Sequence, residues 1–239
     1  MIYAILSGKG GVGKTTLTAN LGILASRLGK RTLLVDADLA SGNLALYLGV
    51  KEPRKTLHEL LAGGKDFNSC IYSLSEKLDL LPSGLSLKGF LKAEVGDLPK
   101  VLKKVSKGYE VVFLDTPPGI SRNTIIPLRC AESVILVTTP DTPSVTVTLK
   151  AKAIASMLDK NIAGAVVNRV RRGLFGERDQ PLQTAKQLGT EILGVLPEEP
   201  KMRDLVERGK PIVLADPKSP ASRALREISL KLLGAKKGG

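Results

Sequence analysis

Residues 7–16 read Ser7-Gly8-Lys9-Gly10-Gly11-Val12-Gly13-Lys14-Thr15-Thr16 and contain the pattern glycine, four residues, Gly-Lys-Thr, with a second lysine inside the loop. Residues 1–6 before it form a short apolar run, typical of a strand buried on both faces of a parallel sheet. Residues 15–28 after it carry apolar side chains at helical spacing and stop at Gly29, a plausible helix end. Strand, loop and helix in this order predict a phosphate-binding loop, and a glycine-rich turn without a ligand is the alternative.

Each residue type in this loop has a predicted role. Glycines let backbone N–H groups point at phosphate oxygens, and the N-terminus of the following helix adds partial positive charge. We expect Lys14 to reach the β and γ phosphates, the Thr15 hydroxyl to coordinate Mg²⁺, and Thr16 to donate toward the α phosphate. The predicted nucleotide-binding residues here are Gly8, Lys9, Gly10, Gly11, Val12, Gly13, Lys14, Thr15 and Thr16.

Three aspartates lie at or just beyond the ends of predicted buried strands. Residues 31–36 and 109–115 are apolar runs that end in Asp36 and Asp115, and Asp38 lies two residues beyond the first run. Open α/β sheets bind ligands at the carboxyl ends of their strands, so these carboxylates are expected to face the phosphates. Asp115 is expected on the Mg²⁺ side, acting directly or through water. Solvated turn aspartates are the alternative for Asp36 and Asp38.

Later turns and strands end in residues suited to the rest of a nucleotide. Gly119 lies in the turn after the strand at 109–115, where its N–H is predicted to face the γ phosphate and respond to its presence. Asn168 ends a strand at 162–168, and its amide suits an adenine edge because it both donates and accepts. A turn-forming asparagine is the alternative. Pro197 ends the last predicted strand, in a loop expected to pack on the base.

Composition favours one α/β domain. The chain has 239 residues, 43% of them hydrophobic, enough for one large domain or two small ones. Strands and helices alternate without a Pro/Gly/Ser-rich linker, which predicts a single domain over 1–239 with a doubly wound, mainly parallel sheet and helices on both faces. The apolar runs fall short of the roughly twenty residues that span a bilayer. No signal sequence precedes the first strand, so a cytoplasmic protein is expected.

Cysteine and histidine are scarce. Cys70 and Cys130 lie far apart and form neither a Cys-x-x-Cys pair nor a disulfide framework, so buried thiols are predicted. His58, the single histidine, has no partner at metal-ligand spacing and is predicted to lie on the surface. Thr56 is predicted to be the N-cap of a short helix at residues 57–61, which contains His58, with Glu59 in the capping-box position.

The charge of the chain points to a polyanionic partner. A formal net charge of +13 implies attraction to nucleic acid or to an anionic membrane, and a lysine-rich solvated surface is the alternative. Residues 98–107 predict a basic helix with one apolar face. Residues 219–234 predict an amphipathic C-terminal helix that begins after Ser219 and whose apolar stripe docks on the sheet more readily than on a membrane.

Several of these motifs together resemble the deviant Walker A ATPases of the MinD/ParA family over nearly the whole chain. They are Lys9 within the loop, Asp36-Ala37-Asp38, and Asp115-Thr116-Pro117-Pro118-Gly119. The segments Val167-Asn168-Arg169 and Gly194-Val195-Leu196-Pro197-Glu198 look most like the MinD branch, in particular its compact archaeal form.

The resemblance implies an ATPase that uses ATP and Mg²⁺ and dimerises face to face when ATP is bound. Lys9 of each subunit would reach the other's nucleotide, like an arginine finger supplied in trans, so hydrolysis and dimerisation would be linked. Asp38 would orient the attacking water, and Asn168 would bind adenine. The implied catalytic residues are Lys9, Lys14 and Asp38, and the implied metal-side residues are Thr15, Asp36 and Asp115. Turnover in this family is slow without a partner protein, so a protein activator or cargo is implied.

Two functions remain open at this point. The first is a MinD-like switch in the spatial regulation of cell division or in protein positioning, cytoplasmic or peripheral at a membrane. The alternative is a ParA-like partition ATPase that binds nucleic acid, favoured by the net charge and by Arg169, Arg171 and Arg172. An electron-transfer or cluster-assembly relative is disfavoured, because Pro117 and Pro118 occupy the turn where cysteines would be needed.

One segment departs from the family pattern. Thr139-Pro140-Asp141 follows a predicted strand where the family often has Pro-Glu. No nucleotide contact is therefore assigned to Asp141.

Overall fold

Eight strands join in one sheet in the computed structural model, which describes residues 1–84, 87–171 and 180–234. The strands are β1 (Ile2–Leu6), β2 (Thr32–Asp36), β3 (Tyr72–Ser75), β4 (Leu78–Leu81), β5 (Val111–Asp115), β6 (Ser133–Thr138), β7 (Asn161–Val170) and β8 (Ile192–Pro197). Their order across the sheet is β3-β4-β2-β5-β1-β6-β7-β8, and all neighbours run parallel except β3 and β4. The predicted α/β fold with a mainly parallel sheet is confirmed.

Helices connect these strands. They are α1 (Lys14–Arg27), α2 (Leu44–Tyr47), α3 (Leu57–Leu61), α4 (Leu87–Lys92), α5 (Leu98–Val105), α6 (Arg122–Cys130), α7 (Thr142–Met157), α8 (Gln180–Leu188), α9 (Met202–Glu207), α10 (Ile212–Ala215) and α11 (Pro220–Leu233), with 3₁₀ turns at Asn68–Cys70 and Val95–Asp97. In α5 the predicted apolar face is buried and the lysines are exposed. Among the described residues, none of the helices has the length and apolar character needed to cross a membrane.

The core lies on both faces of the sheet, because successive side chains of a strand point in opposite directions. In β1, Tyr3 and Ile5 pack in the layer that contains α1 and α11. Ala4 and Leu6 pack in the opposite layer, beneath α6 and α7. Packing on both faces of the sheet therefore holds the end of β1, where the following loop begins.

The C-terminal helix α11 belongs to this core. Leu225 and Ile228 are buried, and a Cβ placed on Gly194 of β8 would lie 2.3 Å from Ile228 Cγ1. Only glycine in the strand allows the helix to approach so closely. Ser219 caps the helix, since its hydroxyl oxygen accepts a hydrogen bond from the Ser222 N–H at 3.1 Å. The sequence expectation that this stripe docks on the sheet is confirmed.

The expectation that His58 lies on the surface is wrong. The side chain is 1% exposed, and its Nε2 lies 3.0 Å from the Leu39 carbonyl oxygen. Thr56 and Glu59 form the predicted capping box, and of the five residues of α3 only Glu59 faces solvent. The helix has only five residues, and its three leucines are buried. His58 is buried together with them. The predicted buried thiols hold for Cys70, whereas Cys130 is only partly buried.

Candidate nucleotide-binding site

The loop between β1 and α1 is shaped by two glycines that have no room for a side chain. A Cβ on Gly8 would lie 2.2 Å from the backbone carbonyl of Val147 in α7. Gly13 has φ +101, and a Cβ there would lie 2.2 Å from Asn168 Nδ2. Glycine tolerates this left-handed conformation without steric cost. The loop is thus wedged between α7 and the end of β7, with its backbone N–H groups available for an anion.

Asn168 holds the loop in place. Its Nδ2 donates to the Val12 carbonyl oxygen at 2.7 Å, and its Oδ1 accepts from the Arg169 N–H at 2.9 Å. Arg169 adopts the left-handed φ of +58, which is uncommon for a residue other than glycine. In this arrangement the Asn168 amide positions the phosphate-binding loop, a contact that the sequence analysis did not anticipate.

Lys14, the first residue of α1, is nearly buried at the base of the loop. Its side chain is 7% exposed, and its ammonium group donates to the Ser7 hydroxyl at 3.0 Å. Burial lowers the pKa of Lys14, while the nearby charges of Asp115 and Asp38 oppose that shift. A cation held in so dry a position is suited to a multiply charged anion, because Coulomb attraction is stronger where water is excluded.

Asp36 and Asp115 lie opposite each other at the ends of the adjacent strands β2 and β5. They are 1% and 2% exposed. Burial raises the pKa of Asp115 to about 6, although hydrogen bonds from Thr15 and Thr18 and the charge of Lys14 act in the other direction. Burial, and next the charge of Asp115, also raise the pKa of Asp36 well above its usual value. Two buried carboxylates at one sheet edge form a site that attracts a cation.

This donor set fits Mg²⁺ held together with a nucleotide. Thr15 interacts with Asp115 and opposes the rise in the pKa of that carboxyl, and hydroxyl and carboxylate oxygens are the hard ligands that Mg²⁺ prefers. Within the described ranges, no cluster of three or more His, Cys, Asp or Glu residues is placed to hold a metal ion. Mg²⁺ commonly binds through one or two protein oxygens together with substrate phosphates and waters.

Asp38 lies in the loop between β2 and α2, and Asp36 organises that loop. Asp36 accepts hydrogen bonds from the Asp38 N–H at 3.2 Å and from the Leu44 N–H at 3.1 Å. The Asp38 carboxylate accepts from the Ser41 N–H at 3.1 Å and is half-buried. Asp38 therefore projects from a loop whose ends are both tied to one buried carboxylate.

The turn after β5 is tied to the phosphate-binding loop. Thr116 donates to the Ile5 carbonyl oxygen at 2.6 Å, which anchors the turn to β1. Gly119 has φ +76, and its Cβ position lies 3.9 Å from the Gly8 carbonyl oxygen. The predicted γ-phosphate residue thus lies directly beside the loop.

Lys9 is paired with Asp141 of the same chain. Their charged atoms are 3.0 Å apart, with side-chain exposures of 41% and 46%. Asp141 also caps α7 by accepting from the Ser144 N–H at 3.0 Å, and it accepts from the Thr139 hydroxyl. Burial opposes ionisation of Asp141, but the hydrogen bonds from Thr139, Lys9 and Ser144 together hold its pKa at about 2.

The role of Asp141 was missed by the sequence analysis, although its signal was present. An aspartate followed two residues later by Pro143 and then by a helical pattern is typical of a helix N-cap.

A cavity of about 840 Å³ continues from the loop and is of a size that suits a small-molecule ligand. Its lining includes Gly13, Thr16, Asn168 and Pro197, all predicted for nucleotide binding. Tyr47 of α2, which the sequence analysis did not single out, also lines the cavity. The predicted base-side and phosphate-side residues are therefore brought together at one edge of the sheet.

A second cleft, of about 530 Å³, adjoins the outer side of the loop. Lys9, Asp141, Arg169 and Arg171 line it, and Arg171 is paired with Glu198 at 2.9 Å. Arg172, the third arginine of the predicted basic segment, lies outside the described residues.

Comparison with known proteins agrees with this geometry. Residues 1–233 match a family model described as ParA: NUBPL iron-transfer P-loop NTPase. The uncharacterized ATP-binding protein MJ0547 of Methanocaldococcus jannaschii is 39% identical over 233 residues, which cover 98% of this chain and 88% of that protein.

Two solved structures are similar over nearly their whole length. The septum site-determining protein MinD of Pyrococcus horikoshii, complexed with Mg-ADP, is 32% identical with a TM-score of 0.88, covering 95% of this chain and 93% of its own. MinD in the MinC:MinD cell division protein complex of Aquifex aeolicus is 30% identical with a TM-score of 0.87, covering 99% and 97%. The chain therefore belongs to the ParA/MinD family of P-loop NTPases.

Proposed function

We propose that the protein is a Mg²⁺-dependent ATPase that acts as a MinD-like molecular switch in the spatial regulation of cell division or in protein positioning. One observation carries the proposal: a buried ammonium group, Lys14, and a buried carboxylate, Asp115, meet at a glycine-shaped loop. That loop opens on a cavity lined by Asn168 and Pro197. The Mg-ADP bound by the Pyrococcus horikoshii relative supports the same ligand here.

Each residue has a separate task in this proposal. Lys14 binds the β and γ phosphates, and the loop N–H groups from Gly8 to Thr16 bind the remaining phosphate oxygens. Thr15 and Asp115, with Asp36 behind them, hold the Mg²⁺, which neutralises charge on the phosphates when bound. Asp38 orients the attacking water, Gly119 senses the γ phosphate, and the cavity that Asn168 and Pro197 line receives the base.

We further propose that ATP binding produces a homodimer in which Lys9 reaches the phosphates of the partner's nucleotide. The Lys9 ammonium is bonded to Asp141 in the single chain, so it must exchange that partner for a phosphate when the dimer forms. Hydrolysis then depends on dimerisation, as with an arginine finger supplied in trans. The Aquifex aeolicus relative forms a complex with MinC, which supports a protein activator or cargo for this cytoplasmic switch.

The experiment is to stop hydrolysis without removing the phosphate-binding loop. Asp38→Ala should lower the ATP turnover rate by about a hundredfold or more, because loss of the orientation of a reacting group has effects of that size. It should also accumulate as a dimer with ATP and Mg²⁺, measured by size-exclusion chromatography with light scattering. Asp66→Ala, at an exposed aspartate paired with Lys55, is the matched control and should behave as the wild type. A monomeric Asp38→Ala protein in saturating ATP would contradict the proposal.

A further inference from the structure

A buried histidine lies behind the loop that carries Asp38. The Nε2 atom of His58, in α3, is 3.0 Å from the carbonyl oxygen of Leu39, the residue that follows Asp38. A carbonyl oxygen can only accept a hydrogen bond, so Nε2 must carry the hydrogen. His58 is therefore a donor to the backbone of the Asp38 loop, and its tautomer is fixed by that bond.

The other ring nitrogen makes no hydrogen bond and lies among closely packed backbone and an aromatic ring. His58 Nδ1 is buried and has no hydrogen-bond partner among the described residues. A Cβ on Gly84 would lie 2.4 Å from Nδ1, one on Gly89 would lie 3.2 Å away, and the ring of Phe90 meets the imidazole edge-on at 6.1 Å. Burial lowers the pKa of His58, which outweighs the opposing effects of the Leu39 hydrogen bond and of Glu59.

This environment does not favour histidine for stability. An apolar side chain of similar size would fill the same space without leaving a buried nitrogen unpartnered, and unpartnered buried polar atoms are destabilising. What the histidine adds is the N–H that reaches Leu39. The hydrogen bond to the loop that carries Asp38 is therefore the property that distinguishes histidine from an apolar residue at this position.

Two hydrogen bonds anchor the backbone just before Asp38. The Ala37 N–H donates to the Asp115 carbonyl oxygen at 2.9 Å, and the Asp38 N–H donates to Asp36 at 3.2 Å. His58 supplies the anchor on the other side, at Leu39. Without it, the chain from Leu39 onward would be less restrained, and the Asp38 carboxylate would sample more orientations.

We propose that His58 is a positioning residue for ATP hydrolysis, which fixes the Leu39 carbonyl group one residue beyond Asp38 and so keeps the Asp38 carboxylate oriented toward the attacking water. The inference rests on the proposed function, in which Asp38 has that task. His58 touches neither nucleotide nor metal in this scheme, so its effect is on the hydrolysis rate and not on ATP binding.

The test uses a matched pair of variants with side chains of similar length. Gln in His58→Gln offers an amide N–H at a reach close to that of Nε2, whereas Met in His58→Met is flexible, apolar and donates nothing. We expect His58→Met to lower kcat about tenfold or more, because small errors in orientation have large effects on rate. His58→Gln should retain kcat within about threefold, and both variants should keep the nucleotide Kd within about twofold. Equal loss in both variants, or no loss in His58→Met, would overturn the inference.

A second measurement needs no variant. His58 is the single histidine of the chain, so ¹⁵N-labelled imidazole gives one pair of nitrogen signals. At neutral pH we expect a protonated Nε2 and an unprotonated Nδ1 with ADP and with a non-hydrolysable ATP analogue alike. The opposite tautomer, or rapid averaging between the two, would refute the assignment even if His58→Met does not fold. A wild-type protein without Mg²⁺-dependent ATP hydrolysis would refute the proposed function itself, whereas active wild type with an unaffected His58→Met protein would refute this inference alone.

Discussion

At the scale of single residues, the ion pair between Lys9 and Asp141 sets up a competition. The lysine proposed to act across the dimer is bonded within its own chain, to an aspartate that also caps α7. Both side chains are substantially exposed, and exposed ion pairs contribute only about 0.2–1 kcal/mol. The pair is therefore weak enough to be exchanged when a phosphate from a second subunit becomes available.

Asp141→Asn separates the two tasks of this residue. Asparagine caps helices about as well as aspartate, so α7 should keep its N-terminus while Lys9 loses its charged partner. We expect ATP-dependent dimers at protein concentrations lower by a factor of about two to thirty, because each dimer breaks two ion pairs of about 0.2–1 kcal/mol. Sedimentation velocity over a concentration series measures this. Asp141→Ala, which also loses the helix cap at a cost of about 1 kcal/mol, is the control for stability. A weaker dimer in Asp141→Asn would contradict the prediction.

The buried carboxylate of Asp115 predicts an unusual pH dependence. Its pKa is raised from the usual 3.8 to about 6, mainly by burial. Between these values the native state binds more protons than the unfolded state, so the stability that this group contributes falls as the pH rises from about 4 to about 6 and is level above that. The nucleotide-free, Mg²⁺-free protein should therefore gain stability from this group as the pH is lowered from about 6 to about 4. Asp115→Asn should lose that gain, and an unchanged pH dependence in this variant, measured by calorimetry, would count against it.

At the scale of elements, α11 is a core helix, and its apolar side chains are packed against β8. Ile228→Ala should destabilise the protein by about 2–5 kcal/mol, because it leaves a cavity where the helix meets the sheet. Leu230 on the same helix is 54% exposed. Leu230→Ala should therefore change the free energy of unfolding by no more than about 0.5 kcal/mol. Urea unfolding of the two variants measures the difference, and equal effects would mean that α11 is not docked in solution.

At the scale of the whole molecule, the net charge of +13 gives the protein a long-range attraction to polyanions. We expect retention by duplex DNA and by anionic vesicles at about 50 mM salt, and a steep loss of DNA binding by about 200 mM as counterion release weakens. Neutral vesicles are the control. Because the stripe of α11 is buried, ATP should not convert vesicle binding to a salt-resistant form. Pelleting that survives high salt only with an ATP analogue would instead indicate apolar insertion and a conditional membrane anchor.

The same scale connects the site to the sheet order. β5 and β1 lie side by side at the centre of the sheet, with β2 and β6 as their outer neighbours. The loops after β1, β2 and β5 therefore open at one edge, where Lys14, Asp36 and Asp115 meet. The organisation of residues 1–239 as one domain stays a prediction for the full chain, while the described strands all belong to this sheet.

The sequence by itself determined the alternation of strands and helices, the glycine-shaped loop and the aspartates at the strand ends. These features are local, because apolar periodicity and the short loop pattern are written within ten to twenty adjacent residues. Even the capping box of Thr56 and the cap at Ser219 could be predicted, since each cap is made by residues three positions apart.

Tertiary structure alone decided how distant side chains are paired. Lys9 meets Asp141 across 132 positions and Asn168 meets Val12 across 156, and neither contact follows from the spacing of any motif. His58 was assigned to the surface because nothing near it in sequence reveals that Leu39 and Phe90 enclose it. Such contacts depend on which strands become neighbours and which loops then face each other. Which strands become neighbours is determined by burial of the whole core, and this cannot be read from any short segment of the chain.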